Sequence, residues 1–135
     1  MTIYSGRRKV LRMVAMQEPT FLILTALASG PLHGYGVIQE VAALSAGDVQ
    51  LRAGTLYGAL DRLAEQDLIK VDREEAVDGR LRRYYRLTDG GAGVLTTEVE
   101  RLQRNAAAAA TRLRLRGSGG LAMLGLAPLG SGGAE

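Results

Sequence analysis

The chain has 135 residues, 17 basic and 14 acidic, no cysteine and a single histidine, His33. That length holds one domain plus appendages. The absence of cysteine removes disulfides and thiolate metal sites, and one histidine removes a histidine-built zinc site and leaves one candidate for imidazole catalysis.

Residues 1–16 form a basic leader with Arg7, Arg8, Lys9 and Arg12 and no acidic residue, while the other 119 residues hold 13 basic and 14 acidic groups. Basicity confined to one segment suits a surface that meets a polyanion. Arginine outnumbers lysine 15 to 2; the guanidinium fork fits phosphates and guanine edges, and a GC-rich genome produces the same bias. Val10, Leu11, Met13, Val14 and Met16 would line one side of a short helix, and a flexible arm is the other reading. No uninterrupted apolar core precedes a small-residue cleavage site, so no signal peptide is expected. No stretch approaches the ~20 apolar residues of a membrane span, so a soluble cytoplasmic protein with no membrane partner is expected.

Residues 17–29 read as a first helix, with Pro19 in its first turn and Phe21, Leu24, Leu27 and Ala28 at helical spacing. Gly30-Pro31 ends it. A second helix is expected from about Gly34 to Leu44, with Val37, Ile38, Val41 and Leu44 on one face. Gly47-Asp48 marks a turn before the short apolar piece Val49 to Leu51. A third helix is expected from Thr55, a suitable N-cap after Gly54. Leu56, Leu60, Leu63 and Ala64 form its apolar stripe, opposite Thr55, Ala59, Arg62 and Gln66.

After Asp67 the period changes to two. Leu68 to Val71 reads as a strand, Asp78-Gly79 as a hairpin turn, and Leu81 to Leu87 as the returning strand. Leu81, Tyr85 and Leu87 share one face of that strand; Arg82, Tyr84 and Arg86 share the other, which is expected to face solvent or a ligand. Asp72, Glu74 and Glu75 on the preceding strand would either repel phosphate or pair with the arginines of the hairpin in the unbound state.

Thr88 caps a long last helix. Along it Leu95, Val99, Leu102, Ala106, Ala109 and Leu113 are spaced 4, 3, 4, 3, 4, an a/d seam whose alanines permit close approach of a second helix. From Gly117 the tail carries seven glycines in 19 residues and reads as disordered or loosely docked.

The fold class expected is therefore mainly α with a small β-hairpin: a winged helix-turn-helix over 17–88, then a long C-terminal dimerisation helix over 89–116, between the leader 1–16 and the Gly-rich tail 117–135. In that architecture the third helix enters the major groove and the hairpin, or wing, touches the flanking backbone or minor groove. Small and hydrogen-bonding residues at the leading end of the third helix let it approach closely. The DNA-binding residues expected are Arg52, Thr55, Tyr57, Gly58 and Arg62 on or beside that helix, with Arg80, Arg82 and Arg83 on the wing. The dimer seam expected is Leu95, Val99, Leu102, Ala106, Ala109 and Leu113. His33 in its Gly-rich turn satisfies the backbone more readily than it binds phosphate or an effector, and Tyr35 reads as helix packing.

Three motif blocks add a family resemblance. They are Gly30-Pro-Leu-His-Gly-Tyr35; Gly54-Thr-Leu-Tyr-Gly-Ala-Leu-Asp-Arg-Leu63, followed by Asp67-Leu-Ile69; and Gly79-Arg-Leu-Arg-Arg-Tyr-Tyr-Arg-Leu-Thr88, followed by Gly91. At these spacings the chain resembles the PadR family of bacterial transcriptional regulators over residues 18–115. It departs at Gly58, where the family often carries proline, and at Asp67, where glycine is usual. The resemblance implies a homodimer joined by the last helix, double-stranded DNA as partner, and repression relieved by a small-molecule effector or another signal. One C-terminal helix places the chain with the shorter subgroup of the family. No cofactor is expected. No nucleophile–base pair, metal cluster or phosphate loop supports an enzyme. A winged-helix adaptor that binds protein instead of DNA is the alternative; the arginines of leader and wing argue against it.

Overall fold

The computed structural model describes residues 16–118. Most of the basic leader 1–16 and of the tail 117–135 therefore lies outside the described residues. The elements run α1 (Glu18–Ala28), β1 (Leu32–His33), α2 (Gly34–Leu44), α3 (Ala53–Glu65), β2 (Ile69–Val77), β3 (Arg80–Leu87) and α4 (Asp89–Arg116). Two compact units are defined, one ending at Glu98 and the other beginning at Val99.

In the first unit, α1 carries in its first turn its acid, Glu18, favoured by the helix dipole, and Pro19, whose missing N–H would be unpaired there anyway. Leu22, Ile23, Leu24, Ala26 and Leu27 are all buried, so α1 is wrapped on several sides and forms the centre of the core. From α2, Val37 and Val41 are fully buried, whereas Leu44 is 44% exposed and Ile38 packs only at the margin. From α3, Leu56, Ala59, Leu60 and Leu63 are buried. Ala59 therefore belongs to the core and not to the outer face expected for it. At i, i+3, i+4, i+7 these four residues make a stripe wide enough for a helix that rests on two neighbours. Val49 and Leu51 pack against the same core from the connecting loop.

The start of α3 differs from expectation. Its N-cap is Arg52, in extended conformation and without a side-chain capping bond, and Thr55 lies inside the first turn. The helix closes through Asp67, which adopts φ 62° while the Leu68 N–H donates to the Leu63 carbonyl at 3.0 Å. This left-handed closing residue is the position that glycine usually fills; aspartate tolerates it better than most side chains.

The sheet has three strands in the order β1-β3-β2, all antiparallel. A two-stranded hairpin was expected, and β1 is the addition: Leu32 pairs with Tyr85 and His33 with Tyr84. The hairpin turn is Asp78-Gly79, with φ 50° and 75° and Val77 opposite Arg80, the two positive values of a type I′ turn. β2 continues through the acidic run to Val77, and its register shifts between Val71 and Arg73 at a bulge.

α4 begins at a genuine cap. The Thr88 hydroxyl accepts from the Gly91 N–H at 2.9 Å and donates to the Asp67 carbonyl at 2.7 Å. Gly91 is buried so tightly that a Cβ there would overlap the Leu68 carbonyl oxygen and stand 2.9 Å from Leu87 Cδ1, which explains the glycine at this spacing after the wing. Val94 and Leu95 pack on the core of the first unit. In the second unit the helix from Val99 to Arg116 exposes Val99, Leu102, Leu113 and Leu115. No helix among the described residues is long and apolar enough to cross a membrane.

Candidate nucleic-acid interface

The burial of Leu56, Ala59, Leu60 and Leu63 fixes which side of α3 faces out. Gly54, Thr55, Asp61 and Arg62 lie on the outer side, with Gly58 among them and Arg52 exposed at the N-cap. A Cβ built at Gly54 meets nothing within 4 Å, and one at Gly58 meets only the tip of Arg62 at 3.7 Å. Neither glycine is required by the packing of the chain itself. A glycine inside a helix costs about 1 kcal/mol relative to alanine, so two of them on one bare face leave room for a body outside the molecule.

Tyr57 stands at the edge of this face and is 46% exposed. Its ring reaches across to α2, where a Cβ at Gly34 would overlap the Tyr57 hydroxyl and stand 2.7 Å from Cζ. The Gly34 of the first motif block and the Tyr57 of the second are thus two halves of one contact. Tyr57 therefore braces α2 against α3 and presents only part of itself outward.

Alternation along β3 puts Arg80, Arg82, Tyr84 and Arg86 on one face and Leu81, Arg83, Tyr85 and Leu87 on the other. The three wing arginines singled out by sequence therefore do not form one cluster. On the first face the Arg73 guanidinium lies 3.9 Å from the centroid of the Tyr84 ring, within the range of a cation–π contact. His33 meets the same ring edge-on, with centroids 5.3 Å apart. Arg73 also holds Glu75 at 2.9 Å and Asp72 at 3.2 Å, and Asp72 in turn reaches Arg86 at 3.5 Å. On the second face Arg83 holds its cross-strand partner Glu74 at 3.0 Å.

Charge follows this pairing. Hydrogen bonding to Glu75 pushes the Arg73 pKa up, and the same bond holds the Glu75 carboxyl below its usual range. Arg83 is pushed up by the Tyr85 hydroxyl and then by Glu74. Burial, and after it the charge of Arg82, lowers His33. By contrast Arg52, Arg62, Arg80 and Arg82 form no ion pair among the described residues. The acidic run thus pairs with Arg73, Arg83 and Arg86, sets Glu75 opposite Arg82 without a direct ion pair, and leaves Arg52, Arg62 and Arg80 without an acidic partner in ion-pair contact. Sequence reasoning missed Arg73 and Tyr84 as partners, although counting back from a two-residue turn pairs them.

A cleft of about 860 Å³ lies between the start of α2, α3 and the wing tip, lined by Tyr35, Tyr57, Asp61, Arg80 and Arg83 among others. Tyr35, 62% exposed, borders it and is not buried in helix packing as expected. The seam residues divide. Leu95 is half-buried against the core of its own unit, whereas Val99, Leu102, Ala106, Ala109 and Leu113 are exposed.

Three helices followed by an antiparallel wing, with a bare third helix beside it, define a winged helix-turn-helix protein. The chain belongs to the PadR-like family of transcriptional regulators, whose model matches residues 23–97. It is 40% identical over 81 residues to the transcriptional regulator Rv3488 of Mycobacterium tuberculosis, a match spanning 60% of this chain and 72% of that protein. Its fold is similar to that of a PadR family transcription regulator from Clostridium difficile R20291, with TM-score 0.61, 24% identity, and coverage of 72% of this chain and 99% of that one. It is also similar to Bacillus subtilis PadR, solved in complex with operator DNA, with TM-score 0.56, 22% identity, and coverage of 62% of this chain and 48% of that one.

Proposed function

We propose that this chain is a sequence-specific DNA-binding regulator that acts as a repressor, binds an inverted-repeat operator as a homodimer, and is released by an effector. The observation that carries the reading is the outer face of α3, where Gly54 opens onto empty space and Gly58 meets only the tip of Arg62, with Arg52 and Arg62 in no ion pair among the described residues. A major groove fills that kind of space: backbone and small side chains meet base edges while guanidiniums at the rim take phosphates. On this reading Thr55 is the side chain that reaches bases, and Tyr57, Arg52 and Arg62 take the backbone. Arg80 and Arg82 extend the positive surface to the wing, where the narrow minor groove of an A·T-rich flank attracts arginine. Bacillus subtilis PadR in complex with operator DNA supports the same role here.

Residues 17–88 would then form the DNA-binding domain and 89–116 the dimerisation helix. Val99, Leu102, Ala106, Ala109 and Leu113 make an exposed seam at heptad spacing, which a second copy of the helix would cover. Two copies so joined set their recognition helices roughly 34 Å apart, one turn of duplex.

The test is selection from random duplex DNA at two salt concentrations, with the wild type and an Arg80→Ala, Arg82→Ala, Arg83→Ala variant. The variant should bind many sequences more weakly and flatten the log–log salt dependence, by about 0.9 for each phosphate it no longer neutralises. An unchanged slope removes the wing from the binding surface, and a wild type that selects no sequence overturns the reading.

A further inference from the structure

Of the wing cations, Arg83 alone is both turned toward the cleft and occupied by an acid of its own chain. Its Nε donates to Glu74 Oε2 at 3.0 Å, across the hairpin at a directly paired position. The Arg83 side chain is 53% exposed and that of Glu74 41%, so the pair is open to competition from outside. Arg83 therefore has one acidic partner among the described residues, an exposed and exchangeable carboxylate.

We propose that Glu74 is a specificity-setting residue of the wing. Its carboxylate takes the place of a DNA phosphate on Arg83, so that Arg83 is handed to DNA only where α3 already fits. The inference rests on the DNA-binding reading above. On an arbitrary duplex the attraction is electrostatic and proportional to the number of free cations. A cation already matched by Glu74 gains little there, because it exchanges one anion for another. On a site that seats α3, the wing is held against the backbone and the phosphate prevails by proximity. Glu74 thus lowers binding to wrong sequences more than to right ones, the form of discrimination that arises from an unfavourable element.

The experiment measures duplex affinity for the wild type and for Glu74→Gln, Arg83→Ala and the double variant. Each is tested on a duplex recovered by selection and on one of scrambled sequence, across a salt series. Glu18→Gln, an exposed neutralisation at the start of α1, controls for net charge. Glu74→Gln should tighten binding to the scrambled duplex by roughly fivefold, the upper range for a surface pair. It should also steepen the salt slope by about 0.9 and tighten the selected duplex less. In the Arg83→Ala background the Glu74→Gln effect should fall to that of the control. If Glu74→Gln matches the control in the wild-type background, or keeps its full effect without Arg83, the inference is overturned while the DNA-binding reading stands. A wild type that binds neither duplex overturns both.

Discussion

At Gly34 a neighbour, not the backbone, dictates the residue. The Tyr57 ring occupies the volume where a Cβ would sit. Gly34→Ala should lower stability by about 1–3 kcal/mol, the usual cost of overpacking, measured by urea unfolding. Adding Tyr57→Ala should restore part of that stability, because the two changes meet at one point of packing; strictly additive effects would refute the pairing. His33 offers a second test at this scale, being the only histidine. Burial and then Arg82 lower its pKa in the folded chain. Above about pH 6.5, the ordinary value, the imidazole is neutral in both states and has no effect. As pH falls below that, the unfolded chain takes up the proton first, and stability drops until the folded-state pKa is passed. Wild-type melting temperature should therefore fall more than that of His33→Gln between pH 7.5 and 5.5, and parallel curves would remove His33 from the pH response.

α3 combines a core stripe of four buried residues with a face of small ones, and the two demands pull stability and function apart. Gly58→Ala meets only the flexible end of Arg62 within the chain. It should raise stability by about 1 kcal/mol through helix propensity and weaken binding to the selected duplex at least severalfold. Thermal unfolding and duplex titration on one preparation decide it; a more stable variant with unchanged affinity takes Gly58 off the binding surface. Much of this element, and of the wing, was legible in the sequence because local rules determine it. The i, i+4, i+7 leucines oriented α3, Asp78-Gly79 located the turn, and Thr88 marked the start of α4. What was not legible depended on tertiary partners. Arg52 rather than Thr55 starts α3, because Ala53 and Gly54 join the helix without any capping side chain. β1 is two residues long, too short to show a period, and exists only because β3 lies beside it. The bulge takes Asp72 out of the simple register while Glu74 and Glu75 stay opposite Arg83 and Arg82, and no local pattern announces it. Leu95 fits the heptad yet packs on its own core, since spacing alone does not say which surface an apolar side chain meets.

For the whole molecule, the proposal of a dimer rests on the exposed seam of α4. Leu102 is 39% exposed, and Leu102→Asp would place an unpaired charge between two helices. At a cost of about 3 kcal/mol or more, the dimer should dissociate more readily by at least about a hundredfold, read by sedimentation. A variant that sediments as a full dimer would displace the seam from the interface. The two-residue strand β1 has a wider consequence. It laces the entry to α2 onto the inner strand of the wing, and one residue later Gly34 receives the Tyr57 ring from α3. Hairpin, turn and α3 thus share a single joint, so on the proposed DNA-binding reading they would meet a duplex as a stamp with a preset relief and not as two fingers that close separately. Anything that tilts the hairpin must tilt the helix beside it, and a signal acting on either would be felt by both.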